Sequence, residues 1–272
     1  MASKYSQRNL QFFWEAEQVA KMSKFVEKLH HISERGSRPV GFRTTPASLS
    51  QSMLLIAVLP QSGIDKVAEI ASCGVDAIIT PLEDPQREIQ DLPKIASALG
   101  GIPLGVWPKS VDKDRVEQLA QAKCDFIILE AATTSAAVLE QEELGKVIRM
   151  DFSLDDSLVK ATSFLPLDAV LIEWAGDFLT IYDLMHYRRI FDLIAKPILL
   201  MTHLEPKDDD LRILWEIGVK GIVVEEWSKS ELMQLHQEIK RLPSVPKRLW
   251  EKRETLLPRL NREISSLPCE EV

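Results

Sequence analysis

The strongest constraint in this sequence is a regular alternation of short apolar runs with longer amphipathic segments, beginning near residue 53. Each run is rich in Val, Ile and Leu, which is typical of parallel strands buried on both faces. Most intervening segments are long enough for one helix, although the segment at roughly 133–143 is short. The alternation predicts eight β/α units. The eight strands are predicted as MLLIAVL (53–59), VDAIIT (75–80), IPLGVW (102–107), CDFIILE (124–130), KVIRMD (146–151), DAVLIE (168–173), PILLMTH (197–203) and GIVVEE (221–226).

Eight such units within about 190 residues are the number that closes a (β/α)8 barrel, the α/β fold known as the TIM barrel. The alternative is an open, doubly wound sheet, which usually carries a glycine-rich turn after its first strand. Here that turn reads PQSGI and has a single glycine. We therefore predict a closed TIM barrel over 53–242, with an N-terminal helix and loop extension (1–52) and a C-terminal helix and tail (243–272).

The two extensions carry apolar residues that need a partner. Residues 7–32 predict an amphipathic helix, and 246–264 predict a last basic helix. The first helix either packs under or beside the barrel or contributes to a dimer contact. A homodimer through the terminal helices is therefore possible on the sequence alone.

Charge and cysteine usage narrow the classes of partner. The formal net charge is −8 and the pI about 5.3, which disfavours nucleic acid and anionic membrane surfaces. The three cysteines are far apart and indicate neither a disulfide framework nor a zinc knuckle. No signal peptide, membrane span or nucleotide-cofactor motif is evident. These features predict a cytoplasmic protein that binds a small molecule.

A shorter repeat runs through the even-numbered strands. They read VDAIITP, CDFIILE, LDAVLIE and VKGIVVE, so Glu130, Glu173 and Glu225 align with one another and with Pro81. Because alternate strands of such a barrel supply the same interior layer, we expect the three glutamates at one height. Period-two alternation then turns Phe126, Ile128, Ala169, Leu171, Gly221 and Val223 toward the interior.

This repeated sequence resembles the GADAVLVG pattern of the phosphate-binding barrels, such as the indole-glycerol-phosphate and imidazole-glycerol-phosphate synthases. The resemblance covers the barrel and indicates the superfold, with no specific family. It implies that the residue at the Glu130 position points into the mouth of the barrel. Those families hold phosphate with glycine-rich turns after strands 7 and 8. Here the turns read THLEPKDDD and EEWSKSE, which are acidic and glycine-free, so a sugar phosphate is not expected there.

Active sites of this fold lie at the carboxyl ends of the strands. Strands 3 and 7 align on Pro103 and Pro197, which places Trp107, Met201, Lys109 and His203 on the inward side. For strand 5, either Met150 or the pair Arg149 and Asp151 faces inward. Trp174 directly follows strand 6. We predict that Trp107, Asp151 and Trp174 form a substrate pocket.

Several carboxylates at one rim repel each other, and three arrangements relieve that repulsion. A divalent metal (Mg, Mn or Zn) can be held by Glu130, Glu173 and His203. One carboxyl can stay protonated as a general acid. Basic side chains such as Lys109 and Arg149 can instead form an ion network with the acids. The sequence leaves all three open.

Two functional hypotheses follow. In the first, the chain is a barrel enzyme of the lyase or isomerase type that acts on a small polar carbonyl or carboxylate compound. The metal polarises the substrate oxygen, Lys109 or Glu225 moves the proton, and Arg149 holds a substrate carboxylate. In the second, it is a non-catalytic or partner-dependent barrel whose mouth acids form a structural ion network, because fold alone does not define function.

Overall fold

The computed structural model describes residues 23–34, 51–60, 66–83, 88–174, 176–203 and 206–243. Eight parallel strands follow one another around a closed barrel, and β8 pairs with β1 to complete it. The predicted TIM barrel is therefore confirmed, and each strand falls within two residues of its predicted bounds. The strands are β1 (Leu54–Val58), β2 (Ala77–Leu82), β3 (Leu104–Pro108), β4 (Phe126–Glu130), β5 (Gly145–Met150), β6 (Ala169–Trp174), β7 (Ile198–Thr202) and β8 (Val219–Val224).

Helices follow the strands around the outside of the barrel. The described segment between β4 and β5 holds a 3₁₀ helix (Ala136–Glu140) instead of an α-helix, which agrees with the short segment predicted there. Another 3₁₀ turn (Thr162–Phe164) precedes β6. The α-helices are α1 (Lys24–Glu34), α2 (Val67–Ser72), α3 (Leu92–Ala98), α4 (Lys113–Gln121), α5 (Asp156–Ala161), α6 (Ile181–Leu193), α7 (Asp208–Ile217) and α8 (Lys229–Arg241). Among the described residues, none of these helices has the length and apolar character that crossing a membrane requires.

Helix α1 closes the amino end of the barrel, which we call the bottom. Phe25 and Leu29 are buried with the side chains of the barrel interior. The Phe25 ring stacks on Phe126 with 4.0 Å between centroids. Asp125 caps the helix, accepting hydrogen bonds from Ser23 Oγ (2.7 Å) and from the backbone N–H groups of Lys24 (2.9 Å) and Phe25 (2.8 Å).

This placement bears on the predicted terminal helices. The apolar face of α1 contacts the chain's own barrel, as in the first of the two alternatives for 7–32. Residues 7–22 and the helix predicted at 246–264 lie outside the described residues, so the homodimer through terminal helices stays a prediction.

Side chains alternate between two apolar layers along each strand. One cluster fills the interior and includes Phe126, Ile128, Ala169, Leu171 and Val223, which confirms their predicted inward direction. The other cluster lies between the sheet and the helices. On β5, Val147 belongs to the inner cluster and Met150 to the outer one. Arg149 is therefore the residue that faces inward, which resolves the ambiguity of that strand.

The aspartates at the start of the repeated sequence accept hydrogen bonds from the backbone of the neighbouring strand. Asp76 accepts a hydrogen bond from the Leu55 backbone N–H (2.9 Å), and Asp168 accepts one from the Lys146 N–H (2.7 Å). Burial raises the pKa of Asp76. These acids complete the bottom of the barrel, opposite the predicted site.

Candidate active site at the mouth of the barrel

Polar side chains from six consecutive strands meet at the carboxyl end of the barrel. Each stands within one residue of the end of its strand, on the inward side of the alternation. We call this set the mouth array. Its members are Trp107, Glu130, Arg149, Glu173, His203 and Glu225.

Arg149 bridges two of the glutamates in the array. Its Nη1 lies 3.3 Å from Glu130 Oε1, and its Nη2 lies 2.6 Å from Glu173 Oε2. Trp107 Nε1 donates a hydrogen bond of 3.1 Å to Glu130 Oε1. The guanidinium carbon also lies 5.6 Å from the centroid of the Trp107 ring, within the range of a cation–π contact. One cation thus compensates two carboxylates that would otherwise repel each other.

His203 continues the array between Glu173 and Glu225. Its Nδ1 lies 2.8 Å from Glu225 Oε2, whereas its Nε2 lies 3.4 Å from Glu173 Oε1. The short contact at Nδ1 fixes the orientation of the ring, and the long contact at Nε2 is near the limit of a hydrogen bond. The His203 side chain is 43% exposed, so this ring is open to solvent and to a ligand.

The charges of the array shift two pKa values in a consistent way. The hydrogen bond from Arg149 lowers the pKa of Glu173, helped by His203 and opposed by partial burial. Partial burial acts to lower the pKa of Arg149, but hydrogen bonds and charges from Glu173 and Glu130 outweigh it and raise that pKa. Both groups are therefore held in their charged forms near neutral pH.

Three predicted site residues lie elsewhere. The Lys109 amine is exposed and lies 3.5 Å from Glu83, which is not a member of the array. Asp151 is exposed and accepts a hydrogen bond of 2.8 Å from the Ser153 N–H, which lowers its pKa. Trp174 is only 3% exposed and packs in the outer core. Its predicted place in the pocket wall is wrong, because β6 turns Glu173 inward and its next residue outward.

The predicted metal ligands are brought together, but with a cation among them. Glu130, Glu173 and His203 are neighbours in the array, and Arg149 lies between the two glutamates. Within the described ranges, no group of three or more His, Cys, Asp and Glu side chains is arranged to hold a metal ion. The geometry is that of the ion-network alternative, and the divalent metal stays a prediction.

A cleft of about 400 Å³ opens beside His203, between the ends of the strands and α8. Its apolar side is formed by Val224, Leu232 and Leu235, and its polar side includes Trp227 and Glu226. The predicted site residues include His203, but the apolar side of the cleft was not predicted. The SKSE segment indicates only that a helix starts after β8, because Ser and Glu three residues apart mark a helix start.

The start of α8 in this cleft is capped by its own side chains. The Ser228 N–H donates to Glu231 (2.5 Å), and the Glu231 N–H donates to Ser228 Oγ (3.3 Å). A carboxylate therefore occupies the helix end at which an anion would otherwise bind. That the turn after β8 does not hold phosphate stays a prediction, which this capping supports.

These observations define the chain as a TIM barrel with an acidic, arginine-bridged mouth. It is similar to solved structures of three barrels. Thiamine phosphate pyrophosphorylase from Pyrococcus furiosus matches with 15% identity and a TM-score of 0.53, over 71% of this chain and 98% of that one. The 3-keto-L-gulonate-6-phosphate decarboxylase from Vibrio cholerae matches with 16% identity and a TM-score of 0.59, over 70% and 99%. A mutant tryptophan synthase α-subunit from Pyrococcus furiosus matches with 13% identity and a TM-score of 0.54, over 70% and 97%.

At these identities the likeness shows the fold alone. No family model and no curated protein matches the chain. The sequence resemblance to phosphate-binding barrels is thus confirmed at the level of the TIM-barrel superfold, and no specific family follows from it.

Proposed function

We propose that the chain is a barrel enzyme of the lyase or isomerase type that moves a proton on a small polar carbonyl or carboxylate compound at the mouth. The observation that carries this proposal is the His203 ring. Glu225 orients it through Nδ1 at 2.8 Å, and it remains 43% exposed. A carboxylate that orients one imidazole nitrogen leaves the other to give or take a proton, as in many acid–base sites.

Arg149 supplies the second element of the proposed chemistry. A guanidinium has five N–H donors, and the contacts to Glu130 and Glu173 engage Nη1 and Nη2. N–H donors thus remain for a substrate carbonyl or carboxylate oxygen. Stabilising negative charge on that oxygen is what removal of a proton from the neighbouring carbon requires.

The charge of the site favours a substrate without phosphate. The array sets three glutamates against one guanidinium and one imidazole, and the adjoining helix start is occupied by Glu231. A doubly charged phosphate would meet this excess of carboxylates. The cleft beside His203, with its apolar side, offers space for the rest of a small, weakly charged molecule.

The metal-assisted version of the proposal needs a rearrangement. For Glu130, Glu173 and His203 to ligate one ion, Arg149 would have to leave both glutamates. The side-chain geometry therefore favours the metal-free version, in which Arg149 performs the charge stabilisation that the metal would supply.

One observation favours a second candidate, the structural ion network. Arg149 and His203 each pair with two glutamates, so both basic groups of the array have partners. Such a network can close the end of a core without doing chemistry. The two candidates differ in what removal of His203 does to stability and to exchange of substrate protons.

The test is proton exchange in D₂O. The purified protein is incubated with a panel of small aldehydes, ketones and 2-oxo acids, and loss of C–H signal is followed by NMR. We expect at least one probe to exchange faster with the wild type than with His203→Gln, by about a hundredfold or more. His203→Gln should change the free energy of unfolding by less than about 0.5 kcal/mol, because the pair is partly exposed.

The matched control is Lys113→Gln. Lys113 pairs with Glu140 at an exposed position, outside the mouth array, so this variant should exchange the same probes at the wild-type rate. Equal exchange by the wild type and His203→Gln for every probe, together with a clear loss of stability in His203→Gln, would favour the structural network.

A further inference from the structure

Exposed apolar side chains are concentrated on one side of the barrel. In the described residues, every large apolar side chain that is more than half exposed lies between positions 158 and 185. We call this surface the α5–α6 face. It comprises Leu158, Phe164, Phe178, Ile181, Tyr182 and Met185, with exposures of 54%, 89%, 69%, 79%, 67% and 65%.

The centre of this face is a well-formed helix. Thr180 and Asp183 form a capping box at the start of α6. Ile181 and Met185 are four residues apart and so lie one turn apart on the same face. The opposite face of α6 is already used, because Tyr187 and Ile190 are buried against the barrel. Ile181 and Met185 are therefore not needed for the packing of α6 on its own sheet.

The neighbouring helix α5 extends the same surface. Arg189 of α6 binds Asp156 of α5, with 2.6 Å between Nε and Oδ1. This contact holds the two helices side by side, so Leu158 of α5 belongs to one surface with the residues of α6. Phe164 follows α5 directly, in the 3₁₀ turn that leads to β6.

The extent of the face matches what one copy contributes to a stable dimer. At about 200 Å² for a fully exposed large side chain, the six exposures amount to roughly 850 Å². A standard interface takes about 800 Å² from each partner. Isolated apolar patches on monomers are usually smaller, roughly 300–600 Å². The face therefore has the area of an interface.

The two helices of the face carry less net charge than the chain as a whole. Helix α5 carries Asp156 and Lys160, and α6 carries two acids and two bases, so each helix has a balanced formal charge. The whole chain has a net charge of −8. Two copies repel each other least where the local charge is balanced. A balanced face is also a poor match for an anionic membrane or a strongly charged protein.

We propose that the α5–α6 face is the contact between two copies of this chain. A two-fold interface sets the same patch against itself, and apolar side chains of mixed size with balanced charges at their edge suit that arrangement. None of the residues of this face belongs to α1 or to the mouth array, so the proposal stands independently of the proposed function.

The experiment is sedimentation equilibrium of the full chain, comparing the wild type with the double variant Ile181→Glu, Met185→Glu. The wild type should be a dimer. The variant should raise the dimer dissociation constant by about a hundredfold or more, because a two-fold contact would bring four carboxylates into an apolar interface. Met233→Glu is the matched control, since Met233 is 43% exposed on α8, outside the face, and it should remain a dimer.

If something other than a second copy covers the α5–α6 face, these experiments give different results. A monomeric wild type overturns the proposal, and so does a double variant with an unchanged dissociation constant. A monomer that binds phosphatidylcholine vesicles, with binding lost in the double variant, would assign the face to a lipid surface instead. A monomer that the double variant destabilises, while Met233→Glu does not, would mean that a segment of the same chain covers the face. Tyr182→Glu provides a second test of the face if the double variant fails to fold.

Discussion

Carboxylates lie at both ends of the barrel, but those at the bottom accept hydrogen bonds from the backbone, whereas those at the mouth pair with side chains. At the bottom, Asp125 accepts hydrogen bonds from two backbone N–H groups and a serine. Five residues later, at the end of β4, Glu130 is paired with the side chains of Trp107 and Arg149. Asp168 and Glu173 repeat this contrast on β6, where the aspartate accepts from a backbone N–H and the glutamate pairs with side chains.

This difference in partners indicates which end of the barrel can bind a ligand and do chemistry. Backbone donors are held by the sheet and by α1, so the acids at the bottom keep one set of partners as long as the fold persists. Side-chain donors can rotate, and those of the mouth array are partly exposed. A ligand can therefore exchange with them at the mouth, while the bottom is closed by α1.

Removal of the Phe25 ring is the largest test of this contrast. Phe25 is fully buried and stacks on Phe126, so Phe25→Ala should reduce the free energy of unfolding by about 3–5 kcal/mol in denaturant titrations. Lys24→Ala, at an exposed position of the same helix, should stay close to wild type. If Phe25→Ala also matched the wild type, α1 would not be a structural closure of the bottom.

Removal of Arg149 should have a smaller effect on stability and a new effect on metal binding. Arg149→Met leaves Glu130 and Glu173 uncompensated. The loss should be about 1 kcal/mol, because the guanidinium is 36% exposed and the pair is not fully desolvated. The freed carboxylates and His203 are then able to ligate a divalent ion.

Thermal melts with and without Mn²⁺ measure that second effect. Mn²⁺ should raise the melting temperature of Arg149→Met and leave that of the wild type unchanged. An equal rise in both proteins would contradict the view that Arg149 takes the place of a metal, and would support the metal predicted from the sequence.

The strands and most of the mouth array could be predicted, because both depend on local pattern. Buried parallel strands leave continuous apolar runs, and aligning those runs placed Glu130, Glu173, His203 and Glu225 at one end. Which partner each side chain takes could not be predicted, since long side chains such as Arg149 have several rotamers of similar energy. The pairing of Lys109 with Glu83 could not be predicted for the same reason, because it depends on the side-chain conformations of both residues at the rim.

One error at the site was avoidable and one omission was not. Trp174 follows Glu173 directly, so period-two alternation already excluded that both face the mouth. The cleft beside His203 depends on how α8 packs against β8, which strand periodicity does not describe. The closure of the bottom by α1 also required the tertiary contact between Phe25 and Phe126.

Acid titration of Glu173 is the smallest and most specific test of the mouth. Because Arg149 lowers the folded-state pKa of Glu173 below its ordinary value of 4.5, its contribution to stability is present above that value. The contribution is lost as the pH falls through the lowered pKa. The stability difference between wild type and Glu173→Gln should therefore shrink as the pH is lowered from neutral pH through 4.5 and below. Denaturant titrations across that range measure it, with Glu140→Gln, from the exposed pair with Lys113, as the control that should follow the wild type. A difference that does not change with pH would mean that the ion pairs of Glu173 do not stabilise the fold.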